Sequence, residues 1–146
     1  MKIRYSKTAL VLLAIQNDYF YKGKMELKEC DEVAVIAKKT LAIFRKKRKH
    51  IIYVKHLEVK KNATCFVPGT VGAEIYSEVA PIKGEKIIVK NNPNSFVETD
   101  LFEYLEQHGI KYLTIVGMMS NMHADTTVRT AKDLGFNVEL IGVGTA

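Results

Sequence analysis

Several things are scarce in this chain of 146 residues, and each scarcity closes off a class of function. Only two cysteines occur, Cys30 and Cys65. Their separation matches neither a metal-ligand nor a redox spacing, and two thiols without a secretory leader suit a reduced, cytoplasmic protein better than a disulfide scaffold. Long apolar runs are missing. The run Leu10–Ile15 follows basic residues but is too short to span a bilayer, and no small-residue cleavage pattern comes after it. No membrane is therefore expected as a partner. No Gly-x-Gly-x-x-Gly follows the first apolar run and no Gly-rich lysine loop occurs, so a dinucleotide or nucleoside triphosphate cofactor has no support. Internal repeats and low-complexity linkers are absent too, which with the length predicts a single domain over residues 1–146.

Positive charge is plentiful: 22 Lys and Arg against 16 Asp and Glu give a net charge of +6. The basic residues gather in Arg45–Lys49 and around Lys55, Lys60 and Lys61, without interleaved aromatics or a recognisable binding module. Cations at a helix end complement its carbonyl terminus, so a solvated helix end is expected and no nucleic acid.

The apolar pattern alternates between two periods. Thr8–Ile15 is almost continuously apolar, which predicts a central strand covered on both faces. From Asp31, a candidate N-cap, Val33, Ile36, Ala37, Thr40, Leu41 and Phe44 recur at helical steps and predict a crossover helix ending in the basic run. Ile51–Lys55 reads as the second strand. Residues 56–84 are irregular, and a short helix around Thr70–Val79 is expected to interrupt them and to lid a pocket. Lys86–Val89 is the third strand, closing at Lys90. Thr99 can cap a helix with Leu101, Phe102 and Leu105 inward and Gly109 as its stop. Tyr112–Val116 is the fourth strand. Its helix begins near Met122, turns Val128 and Ala131 inward and stops near Gly135, and Val138–Val143 is the fifth strand. Alternation of this kind implies a three-layer, doubly wound, mainly parallel sheet with right-handed crossovers. A sheet ending on its fifth strand leaves an open edge, which points to a short natural chain that pairs as a homo-oligomer, or to a truncation.

The stretch Tyr112–Ala131 organises the rest. It reads strand, tight turn through Gly117, helix, and such a junction sits where new backbone N–H groups face a ligand crevice. His123 is the residue expected to face that site.

Three remote stretches together resemble one family: TALVLLAIQNDYF; PGTVGAEI with KIIVKNNPNSFVETDL; and GMMSNMHADTTVRTAKDLGFNV. The chain resembles the isochorismatase-like cysteine hydrolases, which include nicotinamidases, carbamoylases and isochorismatases. Gln16, Asp18, Lys90, Ser95, Phe96, Thr99, Leu101, Gly117, Thr127, Arg129, Ala131 and Gly135 fit the family pattern. Ala14 stands at the position of its acid–base Asp and His123 at that of its nucleophilic Cys. The resemblance implies a site in which a carboxylate takes a thiol proton, a lysine steadies charge and a thiolate at a helix N-terminus attacks an amide or nitrile carbon. It also implies a bracing role for Asp18, substrate contacts from Gln16, Phe20, Met119 and Met122, and a non-proline cis peptide between Met118 and Met119; neither a metal nor a cofactor is expected.

With Ala14 and His123 in two of the three positions, the expected function is a catalytically degenerate homologue that keeps a small-molecule pocket around Lys90. The alternative is an active hydrolase of a small amide, nitrile or ester using His123 and Lys90. A helix N-terminus and Lys90 would both hold His123 neutral, but a catalytic imidazole needs an orienting acid and none is evident. His123 therefore reads either as the pocket floor or as that base. His56 ends the second strand without the following residues of a metal motif, so it reads as structural or pocket-lining. His50 and His108 read as surface residues at helix ends. Lys60 and Lys61 beside Cys65 could lower its pKa, although a loop cysteine is usually inert. Asp125 and Arg129, four apart, read as an ion pair on a helix.

Overall fold

The computed structural model describes residues 7–118 and 120–144. Five strands, β1 (Thr8–Leu13), β2 (His50–His56), β3 (Lys86–Lys90), β4 (Tyr112–Met118) and β5 (Asn137–Gly144), form one sheet in the order β3-β2-β1-β4-β5. All four pairings are parallel. β1 is buried at all six positions, because its unbroken apolar run is covered on both faces. The order of the strands reverses between β1 and β4, and the crevice beyond the carboxyl ends of the strands at such a reversal is where a ligand site is built. Gly117 lets these two strands close there: a Cβ on it would lie 2.3 Å from the carbonyl oxygen of Leu13.

The first crossover helix, α1 (Cys30–Lys46), begins earlier than the sequence pattern suggests. Asp31 lies inside its first turn instead of capping it, where its charge still complements the helix N-terminus. Cys30, Val33, Ala34, Ala37, Leu41 and Phe44 form the buried face. Ile36, expected inward, is 36% exposed. Small Ala34 and Ala37 let the helix seat closely on the sheet, and Ile36 rolls to the flank beside Gly142 of β5.

Residues 57–85 do not hold the single helix expected around Thr70–Val79. Two 3-10 turns, Val71–Ala73 and Ser77–Val79, replace it. Between them Ile75 forms an antiparallel bridge with Gln16, and the Asn17 and Tyr76 amides donate to the Glu74 and Ile15 carbonyls at 2.9 Å. That pairing draws the chain into an extended conformation where a helix would have been continuous.

α2 (Leu101–Gln107) buries Leu101 and Leu105, with Phe102 half-buried, and Gly109 follows at φ +66°. A π-helical turn, Ser120–Ala124, leads into α3 (Asp125–Asp133), which buries Thr127 and Ala131 while Val128 packs at the margin. Gly135 leaves the helix at φ +96°. No helix among the described residues is long and apolar enough to cross a membrane.

Candidate functional site

β1 leaves its ladder at Ala14, whose backbone turns to φ +53° while its N–H still donates to Val54 O at 2.8 Å. The next contact between these chain segments comes from a side chain. Gln16 Oε1 accepts the His56 N–H at 2.8 Å, and Gln16 Nε2 donates to the carbonyls of His56 and Ala73, both at 2.8 Å. The amide thereby extends the β1–β2 ladder beyond its last backbone pair and fixes His56 at the carboxyl end of β2. Gln16 was expected to contact substrate; it is fully buried and its amide is engaged on the fold itself.

Lys90 closes β3 in register with His56. Its Nζ lies 2.9 Å from His56 Nδ1, 2.5 Å from His123 Nδ1 and 2.9 Å from the Asn92 carbonyl oxygen. Three acceptors around one nitrogen match the three N–H bonds of an ammonium. Each imidazole then offers the lone pair of Nδ1 and carries its proton on Nε2. The His56 Nε2–H points to Glu58 Oε2 at 3.5 Å, and the backbone of Pro93 beside His123 favours its charged form. The two rings meet edge on, with centroids 4.8 Å apart.

The cluster is dry: Lys90, His123 and His56 are 1%, 3% and 5% exposed. Burial pulls Lys90 down to about 7, against the pull of Glu58, while the three oriented acceptors favour its charged form. Burial first, then Lys90 and His56, lowers His123 to about 3. Burial and Lys90 lower His56 to about 4, opposed by its hydrogen bond to Glu58. Both imidazoles are neutral at pH 7, so Lys90 is the one cationic side chain of the three, and its lowered value leaves it only partly protonated there.

His123 reaches Lys90 because its turn is stapled to the loop that follows β3. The Thr127 hydroxyl donates to Ser95 Oγ at 2.9 Å and accepts the Ser95 N–H at 3.1 Å, and Asn94 Nδ2 donates to Thr130 Oγ1 at 2.8 Å. Asp18 braces the opposite rim, accepting the N–H groups of Phe66 at 2.7 Å and Lys24 at 3.2 Å. Gly72 approaches it so closely that a Cβ would fall 2.1 Å from its carboxylate.

Of the other residues singled out from the sequence, Phe20 is buried and stacks on Tyr76 with ring centroids 3.7 Å apart, so its ring face belongs to the core. Met122 is 43% exposed on the π-helical turn. Met119, and with it the Met118–Met119 peptide, lies outside the described residues. Cys65 is half-buried, and its thiol is pushed up by burial, Asp18 and Glu58, the reverse of the activation suggested by Lys60 and Lys61. His50 opens β2 instead of ending a helix, with its ring 4.9 Å from that of His108. Asp125 and Arg129 pair at 3.1 Å as their spacing suggests.

Sequence reasoning missed Glu58 and the direct contact of His56 with Lys90. The signal was His56-Leu57-Glu58: residues two apart along extended chain lie on the same side, so an acid stood beside the strand-end histidine. Among the described residues no group of three His, Cys, Asp or Glu side chains is placed to hold a metal ion.

Comparison with known proteins agrees with this architecture. Residues 8–146 match the family model described as "Isochorismatase domain". The isochorismatase family protein YddQ of Bacillus subtilis is 42% identical over 134 residues, covering 92% of this chain and 74% of that protein. The secreted isochorismatase effector Isc1 of Verticillium dahliae is 32% identical over 131 residues, covering 90% and 68%. Among solved structures, an isochorismatase hydrolase from Oleispira antarctica superposes with a TM-score of 0.87 at 34% identity, over 99% of this chain and 83% of that one.

Proposed function

The chain belongs to the isochorismatase domain family, and from that premise we propose that it is a catalytically degenerate member, a hydrolase homologue that binds a small polar metabolite near Lys90 without cleaving it. The observation that carries this reading is the Lys90–His123 contact: His123 Nδ1 is engaged by Lys90 inside a buried cluster, and no carboxylate among the described residues pairs with its ring to orient it for attack or proton abstraction. Position 14 supports it, since a methyl group can neither accept a proton nor orient a base. Lys90 persists beside neutral imidazoles, while the family's thiolate and carboxylate positions are taken in this reading by His123 and Ala14.

One observation favours a second reading, an active hydrolase of a small amide, nitrile or ester. Glu58 supplies His56 with the acid that His123 lacks, and His56 touches Lys90. Steady-state assays with a panel of such compounds separate the two. The degenerate reading expects no turnover above background, and expects thiol reactivity to return only when Ala14→Asp and His123→Cys are combined. Turnover in the wild type that disappears in His56→Ala or His123→Ala overturns it.

The same reading includes self-association, because Val35 and Ile43 stand exposed on α1. Sedimentation of the wild type is expected to show a dimer or larger species, and Val35→Lys with Ile43→Lys to reduce it to the monomer.

A further inference from the structure

At the amino ends of β2 and β3, remote from Lys90, three segments of chain meet around an open cleft of about 310 Å³. The end of α1 contributes Arg45, Arg48 and Lys49; the turn before β3 contributes Lys83 and Glu85; α2 contributes Tyr104. His50 opens β2 at this cleft and His56 closes β2 beside Lys90, so six strand steps, roughly 20 Å, separate the two places.

Charge in the cleft is lopsided. Its one carboxylate, Glu85, is consumed by Arg45 through a pair of 2.8 Å hydrogen bonds, from Nε and from Nη2, and Glu85 Oε1 also accepts the Ile82 N–H at 2.9 Å. Arg45 is further held by Tyr53 Oη at 3.2 Å and the Ala80 carbonyl at 3.0 Å, which makes a fixed wall of it. Arg48, Lys49 and Lys83 have no carboxylate partner among the described residues. The carbonyl end of α1 offsets only about half an elementary charge. Three cations against that half charge leave a surplus that a helix terminus does not explain.

Backbone conformation adds an independent argument. Arg48 sits just past the C-cap of α1 at φ +54°, a left-handed conformation that glycine would adopt without strain. An arginine there trades conformational ease for a guanidinium at the mouth of the cleft.

We propose that this cleft binds a small, compact polyanion of the polyphosphate class, carrying two or more negative charges that Arg48, Lys49 and Lys83 neutralise together. A monoanion leaves most of the surplus unpaired. Guanidinium and ammonium groups together suit phosphoryl oxygens, the one as a planar fork and the other as a point charge. The volume sits at the small end of the range for small-molecule sites, about 300–1,000 Å³, and excludes a duplex from its interior.

The test uses the full chain and inorganic pyrophosphate, followed by calorimetry and by NMR of the His50 imidazole and Tyr104 ring, in buffers of matched ionic strength. Binding is expected, with shifts at His50 and Tyr104 and none at His56 or His123. Arg48→Gly relieves the backbone and removes one charge, so it is expected to keep or raise the melting temperature while weakening pyrophosphate about fivefold. Combined with Lys83→Gln, the loss is expected to exceed about tenfold, the usual scale for removing charge-assisted contacts. Sulfate producing the same shifts at equal ionic strength, citrate binding more tightly than pyrophosphate, duplex DNA binding without any response to pyrophosphate, or unchanged affinity in the folded double variant each overturns the proposal.

Discussion

Ala14 shows most directly how much depends on one residue. It is buried, its backbone lies at φ +53°, and in the proposed reading its methyl group stands where an acid–base carboxylate would be. A left-handed conformation costs a non-glycine residue about 1–2 kcal/mol. Ala14→Gly is therefore expected to raise stability, by about 0.5–1 kcal/mol once the greater freedom of glycine in the unfolded chain is counted, as read by urea denaturation. The histidines give a second expectation at this scale. His56 and His123 are held far below the ordinary value of about 6.5, so between that value and about 3–4 the unfolded chain binds protons that the folded chain refuses. Stability must fall as pH drops from about 6.5 toward 4, by up to about 1.4 kcal/mol per pH unit for each histidine. The difference in unfolding free energy between the wild type and His123→Gln, measured from pH 7 to pH 4, should shrink along that slope; a constant difference would mean that His123 titrates normally. Lys90 works in the same direction at higher pH. Its folded value near 7 lies below the unfolded one, so the cost of burying the ammonium is relieved as pH rises from about 7 toward 10.

Among the elements, the joint between the loop after β3 and α3 decides whether His123 and Lys90 meet. Thr127→Val keeps the shape of the side chain but leaves Ser95 N–H and Oγ without their partner in a buried place. A cost of about 1–3 kcal/mol is expected, together with a change in the His123 imidazole signals that a purely global loss of stability would not produce. Gly117→Ala places a Cβ against the Leu13 carbonyl at a separation of 2.3 Å, so β1 and β4 must move apart. It is expected to cost about 1–3 kcal/mol or more in chemical denaturation and to disturb the carboxyl-end crevice. Much of this scale was legible beforehand. The unbroken apolar run of β1 announced a central strand, and Ser95, Thr99 and Thr127 were marked by the family pattern. The start and roll of α1 were not legible, because its inner face is set by how closely Ala34 and Ala37 can approach the sheet. The two 3-10 turns were not either, because the Gln16–Ile75 bridge that interrupts the helix joins residues 59 apart in the chain.

Across the whole molecule the two ends of the sheet carry opposite chemistry. At the carboxyl ends one lysine is sealed among neutral imidazoles; at the amino ends a surplus of cations stands open to solvent. Arg45 and Glu85 tie the end of α1 to the turn before β3 and shape the second of these places. Glu85→Gln is expected to weaken that tie modestly, by about 1 kcal/mol given its partial exposure, and to tighten pyrophosphate binding by freeing Arg45; titration calorimetry of the variant reads both, with a melt as control.

From the sequence alone came the parallel α/β architecture and the family, and with them the proposal that positions 14 and 123 are substituted beside a retained Lys90. These follow from periodicity and from local pattern, which a linear string records in full. Only the tertiary structure decided that Lys90 meets both His56 and His123, that Gln16 serves the fold, and that Lys83 joins Arg48 and Lys49 in one cleft. Hydrogen bonding and net local charge are properties of what surrounds an atom in space, and the partners that meet here lie 33 residues apart for Lys90 and His123 and 40 for Gln16 and His56.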